Sequence, residues 1–205
     1  MLVHVHNDNR IAERVALRSM FEARKRVFID LLGWDIPALD GRYEVDHFDV
    51  ADARYLILAD ADHHHLASAR LLPTTTPAIL DSLFPDLCEG PIPAGERVRE
   101  ITRFCLSPDV RARERRQCRN KLVTALVMYA QEHGIDTYTG VAELPWLKQI
   151  LDFGWDCRML GEPRRHGKTM LGAMRITIRD DTLSALVQAG VYADPCDPLP
   201  IAAAA

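Results

Sequence analysis

Residues 99–108 read REITRFCLSP. Ile101, Phe104, Cys105 and Leu106 seek a core, and the β-branched and aromatic content marks residues 98–107 as a buried strand. Two charged residues interrupt it. Glu100 and Arg103 are costly to bury unless paired, and their odd separation points them to opposite faces of a regular strand. A bulge or splay within residues 100–105 would re-aim one of them, and such irregularities gather beside active sites. The backbone N–H freed there is a candidate oxyanion donor.

Downstream, Cys118, Leu122, Ala125, Leu126, Tyr129 and Ala130 share one face of a helix expected over 117–133, stopped by Gly134. DTYTGVA (136–142) reads as a strand, and ELPWLKQILDF (143–153) as a helix with Pro145 in its first turn. WDCRML (155–160) and TMLGAMRITI (169–178) are strand-like, and a short helix follows over 182–188. Upstream, Ile11, Val15, Met20, Val27, Phe28, Leu31 and Leu32 predict a helix over 11–32 that Gly33 ends. Residues 34–53 lack a sustained period and form a long loop, which in a compact domain is usually functional. RYLILA (54–59) and HLASARLL (65–72) are strands joined by a polar turn, and PTTTPAILDSLFPDL (73–87) holds a short helix or turn. The order predicts a single α/β domain over 1–192, a mixed central sheet flanked by helices. Residues 193–205 are expected to be a disordered tail.

The 205 residues carry a net charge of −4, with 26% charged and 48% hydrophobic side chains. That is ordinary for a globular protein and gives no sign of nucleic-acid binding. MLVHVHNDNR is not a signal peptide, and no apolar run reaches the ~18 residues a membrane span needs, so a cytoplasmic protein is expected. The 5 cysteines (Cys88, Cys105, Cys118, Cys157, Cys196) show no CxxC, which favours reduced thiols. His63, His64 and His65 lie in DADHHH, a solvated turn without a second ligand cluster, so no metal is expected.

Candidate chemistry begins with Arg24 and Phe28, four residues apart on one helix face. Trp34 follows, then Glu44, Asp46 and Asp49 in the loop, and Arg70 on the second strand. Taken as surface ion pairs, these charges would contribute ~0–1 kcal/mol each. The pattern formed by Arg24, Phe28 and Trp34, then Glu44, Asp46 and Asp49, then ARLLPTT (69–75), then Glu100, Arg103 and Phe104 resembles the acyl-homoserine-lactone synthases, the autoinducer synthases of quorum sensing. The match spans residues 14–107, and RLLPTTTPAILDSLFPDL (70–87) is especially similar; FGW (153–155) extends it more weakly.

The resemblance implies a fold similar to the N-acetyltransferases and an acyltransferase that uses S-adenosylmethionine as substrate, with no cofactor. The acyl group would come from an acyl carrier protein or coenzyme A thioester. The products would be an N-acyl-L-homoserine lactone, methylthioadenosine and the free thiol. Two steps are needed: the methionyl amine attacks the thioester, and the methionyl carboxylate then displaces methylthioadenosine from its own γ-carbon. Glu100 is the candidate base, directly or through water. Arg103 suits the substrate carboxylate, and Phe28 and Trp34 suit a sulfonium or adenosine. Asp46 and Asp49 either hold the ammonium or lock Arg24 and Arg70, with Asp46 nearer the substrate; Phe104 completes this set.

The acyl pocket is expected at Ile101, Cys105, Val141, Ala142 and Trp146. Ala142 stands where some relatives carry a threonine associated with 3-oxo chains, which points to a different acyl group. RARERRQCRNK (111–121) offers Arg111, Arg113, Arg115, Arg116, Arg119 and Lys121 as a dock for an acidic carrier, with Arg164, Arg165 and Lys168 as an extension. Two rival readings stand beside this one. An N-acyltransferase acting on another amine would grip coenzyme A on a glycine turn, yet no glycine lies between Gly95 and Gly134. A non-catalytic small-molecule sensor would release no methylthioadenosine.

Overall fold

The structure, a computed structural model, describes residues 1–197. Residues 198–205, part of the expected tail, lie outside the described residues. The chain divides into two compact units. The first comprises Met1–Arg70, Arg103–Ala125 and the segment from Ala193; the second comprises Leu71–Thr102 and Leu126–Tyr192.

In the first unit, strand β1 (Leu2–Val5) pairs antiparallel with β4 (Arg54–Ala59), Leu2 opposite Leu58 and Val5 opposite Tyr55. Val3 and Val5 are buried and His4 between them is not, so a four-residue alternation suffices for a strand that sequence reading passed over. β5 (His65–Pro73) follows β4 in the sheet order. The intervening turn has His63 at φ 63, and the Asp60 carboxylate accepts hydrogen bonds from the backbone N–H groups of Asp62 and His64 at 2.9 and 2.8 Å.

The helix expected over 11–32 is in two parts. α1 (Arg14–Arg24) is α-helical, and Lys25–Leu31 continues as a π-helical segment. The N–H of Leu32 accordingly reaches back five residues to Val27, and that of Trp34 reaches the Phe28 carbonyl across left-handed Gly33 (φ 67). Ile11, Val15, Leu31 and Leu32, expected inside, are exposed. The helix starts after Ile11, and the wider turn shifts the phase of the apolar stripe. Within the 34–53 loop stands a small hairpin, β2 (Ala38–Leu39) with β3 (Tyr43–Glu44). Asp40 and Gly41 both have positive φ, 52 and 64, and with Arg42 they make the three-residue loop between the paired Leu39 and Tyr43.

β6 (Val98–Leu106) runs from the second unit into the first. Its early residues pair parallel with β7 (Thr137–Glu143), Glu100 opposite Thr139. β7 pairs antiparallel with β10 (Thr169–Thr177), which also holds β8 (Asp156–Met159) and β9 (Arg164–His166). Short α2 (Ile79–Leu83), α4 (Leu144–Leu151) and α5 (Thr182–Gln188) complete the second unit. Leu80, Leu87 and Ala173 form one of its cores, with Val141, Leu160 and Leu171 packed against them.

α3 (Ala112–Glu132) starts five residues before the expected boundary. It buries Cys118, Leu122, Ala125, Leu126 and Ala130, as the periodicity requires. Residues 193–197 of the expected tail are held: buried Lys121 donates to the carbonyls of Asp194 and Asp197 at 2.5 and 2.6 Å, and Ala193 N–H donates to Thr124 Oγ1.

Candidate active site

The first unit gathers three arginines and three carboxylates into a closed ring of alternating charge. Arg24 donates through Nε to Glu44 and through both terminal nitrogens to Asp49, at 2.9 and 3.0 Å. Arg70 grips Asp46 with two bonds of 2.6 and 3.0 Å and reaches Asp49 at 2.8 Å. Arg103 closes the ring, reaching Glu44 at 3.1 Å and Asp46 at 2.7 Å. Every carboxylate thus bridges two guanidinium groups, and the six formal charges cancel. Such compensation is what allows charges this deep.

Each member arrives by a local device. Arg24 ends α1, with its guanidinium 5.0 Å from the Phe21 ring. Glu44 follows the Asp40–Gly41 turn. Asp46 and Asp49 stand on a tight turn whose backbone they brace themselves: Asp46 accepts from Phe48 N–H, and Asp49 accepts from Asp46 N–H and from the Tyr55 hydroxyl. Arg103 sits on β6 at φ 50, left-handed for a residue with a Cβ. That is the splay expected within 100–105, and sparsely populated backbone of this kind costs about 1–3 kcal/mol and persists where its surroundings over-determine it.

Electrostatics follow from this geometry. Burial alone would raise the Asp49 carboxyl, but Arg24 and Arg70 outweigh it and hold the pKa well below the usual carboxylate range. Asp46 is lowered too, burial again being outweighed by Arg70 and Arg103. Arg24 is held protonated: its own burial disfavours the charge, and Asp49 and Glu44 overcome that.

Solvent reaches the ring at one edge. Side-chain exposure is 0–2% for Arg24, Arg70, Glu44 and Asp49, against 11% for Arg103 and 14% for Asp46. At that edge Phe28 and Trp34 stack with centroids 4.6 Å apart. The Arg103 guanidinium lies 5.5 Å from the first ring and 5.3 Å from the second. The π-helical segment and Gly33 bring the two aromatics together. Cys105 and Val27 pack behind Phe28, with Trp34 and Ile36 against them. Burial pushes the Cys105 thiol up to about 12, so it is a packing group without a nucleophile's ionisation.

Seven expected substrate-binding residues (Arg24, Phe28, Trp34, Asp46, Asp49, Arg70 and Arg103) therefore meet in one unit, and Phe104 is half-buried beside Arg103. Glu44, noted in the sequence as a loop carboxylate without a role, is an equal member of the ring. Its near-total burial depends on the hairpin, which the Asp-Gly pair would have signalled.

The other expected residues divide between the two units. Glu100 lies in the second unit, 1% exposed, where its carboxylate accepts the N–H groups of Ile79 at 2.9 Å and Leu80 at 3.1 Å. It caps the opening of α2. Ile101, Val141, Ala142 and Trp146 are also in the second unit, while Cys105 is in the first. Val141 and Ala142 are successive residues of β7 and face opposite sides. Val141 joins the Leu80–Leu87–Ala173 core. Ala142 stands opposite Gly172, where a Cβ would be 2.5 Å from Leu147 of α4. Trp146 meets Phe153 edge-on, centroids 5.7 Å apart.

Of the basic stretch, Arg111, Arg113 and Arg116 are exposed. Arg115 is spent on the carbonyls of Leu106 and Ser107, Arg119 bonds the Asn120 side chain, and Lys121 is buried on the 194–197 segment. A run of like charges looks uniform in sequence; helical periodicity turns half of it inward. Arg164, Arg165 and Lys168 are exposed.

The family model for autoinducer synthase matches residues 8–186. The chain belongs to the autoinducer synthase family. It is 31% identical to the acyl-homoserine-lactone synthase of Ralstonia nicotianae over 91% of this chain and 93% of that protein. Among solved structures it is similar to BjaI, a CoA-dependent acyl-homoserine lactone synthase, in its forms with MTA (TM-score 0.84) and with SAM and isopentyl-CoA (0.82). Both comparisons give 26% identity and cover 93% of this chain and 89% of that one. A putative N-acetyltransferase from Lactobacillus plantarum shares the fold alone, with a TM-score of 0.57 at 17% identity and coverage of 87% and 98%. The mixed α/β, N-acetyltransferase-like fold expected from the sequence holds. No helix among the described residues is long and apolar enough to cross a membrane.

Proposed function

We infer that this chain is an acyl-homoserine-lactone synthase, which acylates the α-amine of S-adenosylmethionine from an acyl thioester and then closes the lactone. The observation that carries this reading is the solvent-facing edge of the charge ring, Arg103 and Asp46, set against stacked Phe28 and Trp34. The methionyl end of S-adenosylmethionine presents a carboxylate, an α-amino group and a sulfonium, and that edge offers a partner to each. Arg103 releases Asp46, keeps Glu44 and takes the substrate carboxylate in a charge-assisted bond. Asp46 then accepts from the α-amino group. The exchange leaves the ring's net charge unchanged, so little desolvated charge is left unpaired. The aromatic faces that Arg103 covers become available to the sulfonium, a cation–π contact of about 0.5–2 kcal/mol.

An α-amino group has an ordinary pKa of about 7.7–8.0, and pairing with Asp46 favours its ammonium form, so it passes a proton to a water at that edge before it attacks. Its nitrogen attacks the thioester carbonyl; the C–N bond forms, the C–S bond breaks, and the thiolate leaves and takes up the proton. One carboxylate oxygen then attacks the γ-carbon, the sulfonium C–S bond breaks, and methylthioadenosine departs. This closure is intramolecular, so holding the methionyl chain folded supplies most of what it needs. Glu100 acts here as a positioning residue, fixing the first turn of α2.

The family match at residues 8–186 runs through both units, and we treat residues 1–192 as one synthase domain. Exposed Arg111, Arg113 and Arg116 are the proposed dock for the anionic carrier, steering association more than adding affinity. The test is a panel of acyl chains, each presented on coenzyme A and on acyl carrier protein, with products identified by mass spectrometry. Lactone and methylthioadenosine in equal amounts are expected from one carrier series. Acylation of other amines without methylthioadenosine would establish the plain N-acyltransferase instead, and ligand binding without product the sensor.

A further inference from the structure

Each arginine of the charge ring also covers an aromatic face. Arg24 lies 5.0 Å from the Phe21 ring and Arg70 5.9 Å from that of Phe48. Both of these side chains are buried, and their surroundings fix them in place. Arg103 differs in two ways. Its side chain reaches solvent, and its guanidinium covers two stacked rings at once, at 5.5 Å from Phe28 and 5.3 Å from Trp34. The surface read above as the sulfonium's partner is thus held by the protein's own cation, within the ~6 Å of a cation–π contact.

The inference rests on the reading of this edge as the S-adenosylmethionine site. A ligand that uses the two rings moves the guanidinium off them and off Asp46, and what it offers in exchange decides the net gain. S-adenosylmethionine offers Arg103 a carboxylate in place of Asp46, and its sulfonium puts a new cation on the rings. Methylthioadenosine is a neutral thioether without a carboxylate, so it offers neither. The ring tolerates both positions of Arg103, because Glu44 and Asp46 each keep a second arginine, Arg24 and Arg70.

The reaction turns the first ligand into the second. When the carboxylate oxygen bonds to the γ-carbon it becomes an ester oxygen, and the electron pair of the breaking C–S bond neutralises the sulfur. Arg103 loses its carboxylate partner and the aromatic rings lose their cation in the same step. Both losses are made good when Arg103 returns to Asp46 and to the ring faces.

We propose that Arg103 selects the intact substrate at this edge and displaces methylthioadenosine after lactone closure. The experiment is isothermal titration of the full chain with methylthioadenosine and, separately, with S-adenosylmethionine, without acyl donor. It compares the wild type with Arg103→Met and Arg103→Lys. Methionine removes the charge and keeps much of the length; lysine keeps a charge for Glu44 and Asp46 but lacks the planar group that spans both rings.

The expected changes have opposite signs. Arg103→Met should bind methylthioadenosine about tenfold more tightly and S-adenosylmethionine about tenfold more weakly, each tenfold being about 1.4 kcal/mol. Arg103→Lys, which keeps the charge balance should the methionine variant fail to fold, should bind methylthioadenosine about threefold more tightly. A residue that only held the fold would weaken both ligands together. Methylthioadenosine affinity unchanged or lowered in the folded variants overturns the proposal. Phe28→Leu separates that result from a failure of the underlying reading. If it weakens S-adenosylmethionine while methylthioadenosine is indifferent to residue 103, the substrate site stands and selection by Arg103 falls. If it leaves S-adenosylmethionine binding unchanged, the site and the proposal fall together.

Discussion

Asp49→Asn removes one charge from the ring while keeping shape. Asp49, with a side chain 2% exposed, accepts from Arg24, Arg70, the Tyr55 hydroxyl and Asp46 N–H. The amide cannot receive all of these, because its Nδ2 turns a donor toward guanidinium donors. One buried positive charge is then uncompensated. Breaking a buried pair in this way costs about 3–5 kcal/mol, a large share of the ~5–15 kcal/mol that holds a domain. Urea unfolding should show the midpoint falling by that amount divided by the slope, with the slope itself unchanged.

The acid limb gives an independent check. The folded pKa of Asp49 is depressed, so its stabilisation is complete above the unfolded value near ~3.9. It is lost as pH falls from there toward the depressed folded value. The wild type should therefore lose stability on acidification below about pH 4 more steeply than the Asn variant. A variant within about 1 kcal/mol of wild type, with the same acid slope, would refute the closed ring as a structural unit.

Three further outcomes are expected. Asp46→Asn, at the solvent-facing edge, should raise the KM for S-adenosylmethionine about tenfold, the worth of ~1.4 kcal/mol, with kcat little changed; unchanged KM assigns Asp46 to scaffolding. Glu100→Gln should lower stability by roughly 1–2 kcal/mol through the α2 cap and leave the pH profile of kcat/KM in place. Loss of the profile's rising limb, expected near the α-amino pKa, would restore Glu100 as the base. Alanine at Arg111, Arg113 and Arg116 together should slow association with the acyl carrier and flatten its salt dependence, whereas Lys121→Met should act on stability and spare that salt dependence.

The two charges in the core strand have separate explanations. Arg103 was legible as unusual because a guanidinium does not enter a strand for packing, and its left-handed backbone supplies the expected splay. Glu100 was equally legible as unusual, yet the N–H groups it caps belong to residues some twenty positions earlier, a long-range pairing that no local pattern carries. Arg24, Asp46, Asp49 and Arg70 could be named because charged residues recur beside apolar elements. Their closure into a ring depends on tertiary approach, and so does the place of Glu44.

The π-helical segment at KRVFIDL has the same residue preferences as an α-helix, so its extra residue per turn was invisible, along with the surface position of Leu31 and Leu32. β1 was missed because four residues give too short an alternation to rank above noise. The helices and longer strands of the second unit followed their periodicity closely, since there burial against one face decides the structure.

The most direct measurement is the product formed from S-adenosylmethionine carrying heavy oxygen at both carboxylate positions, together with an accepted acyl thioester. Closure by attack of that carboxylate on the γ-carbon predicts a lactone retaining both labelled oxygens, with equal methylthioadenosine. A lactone that has lost one label would mean ring closure by another route. Folded protein that releases no lactone would contradict the synthase account altogether.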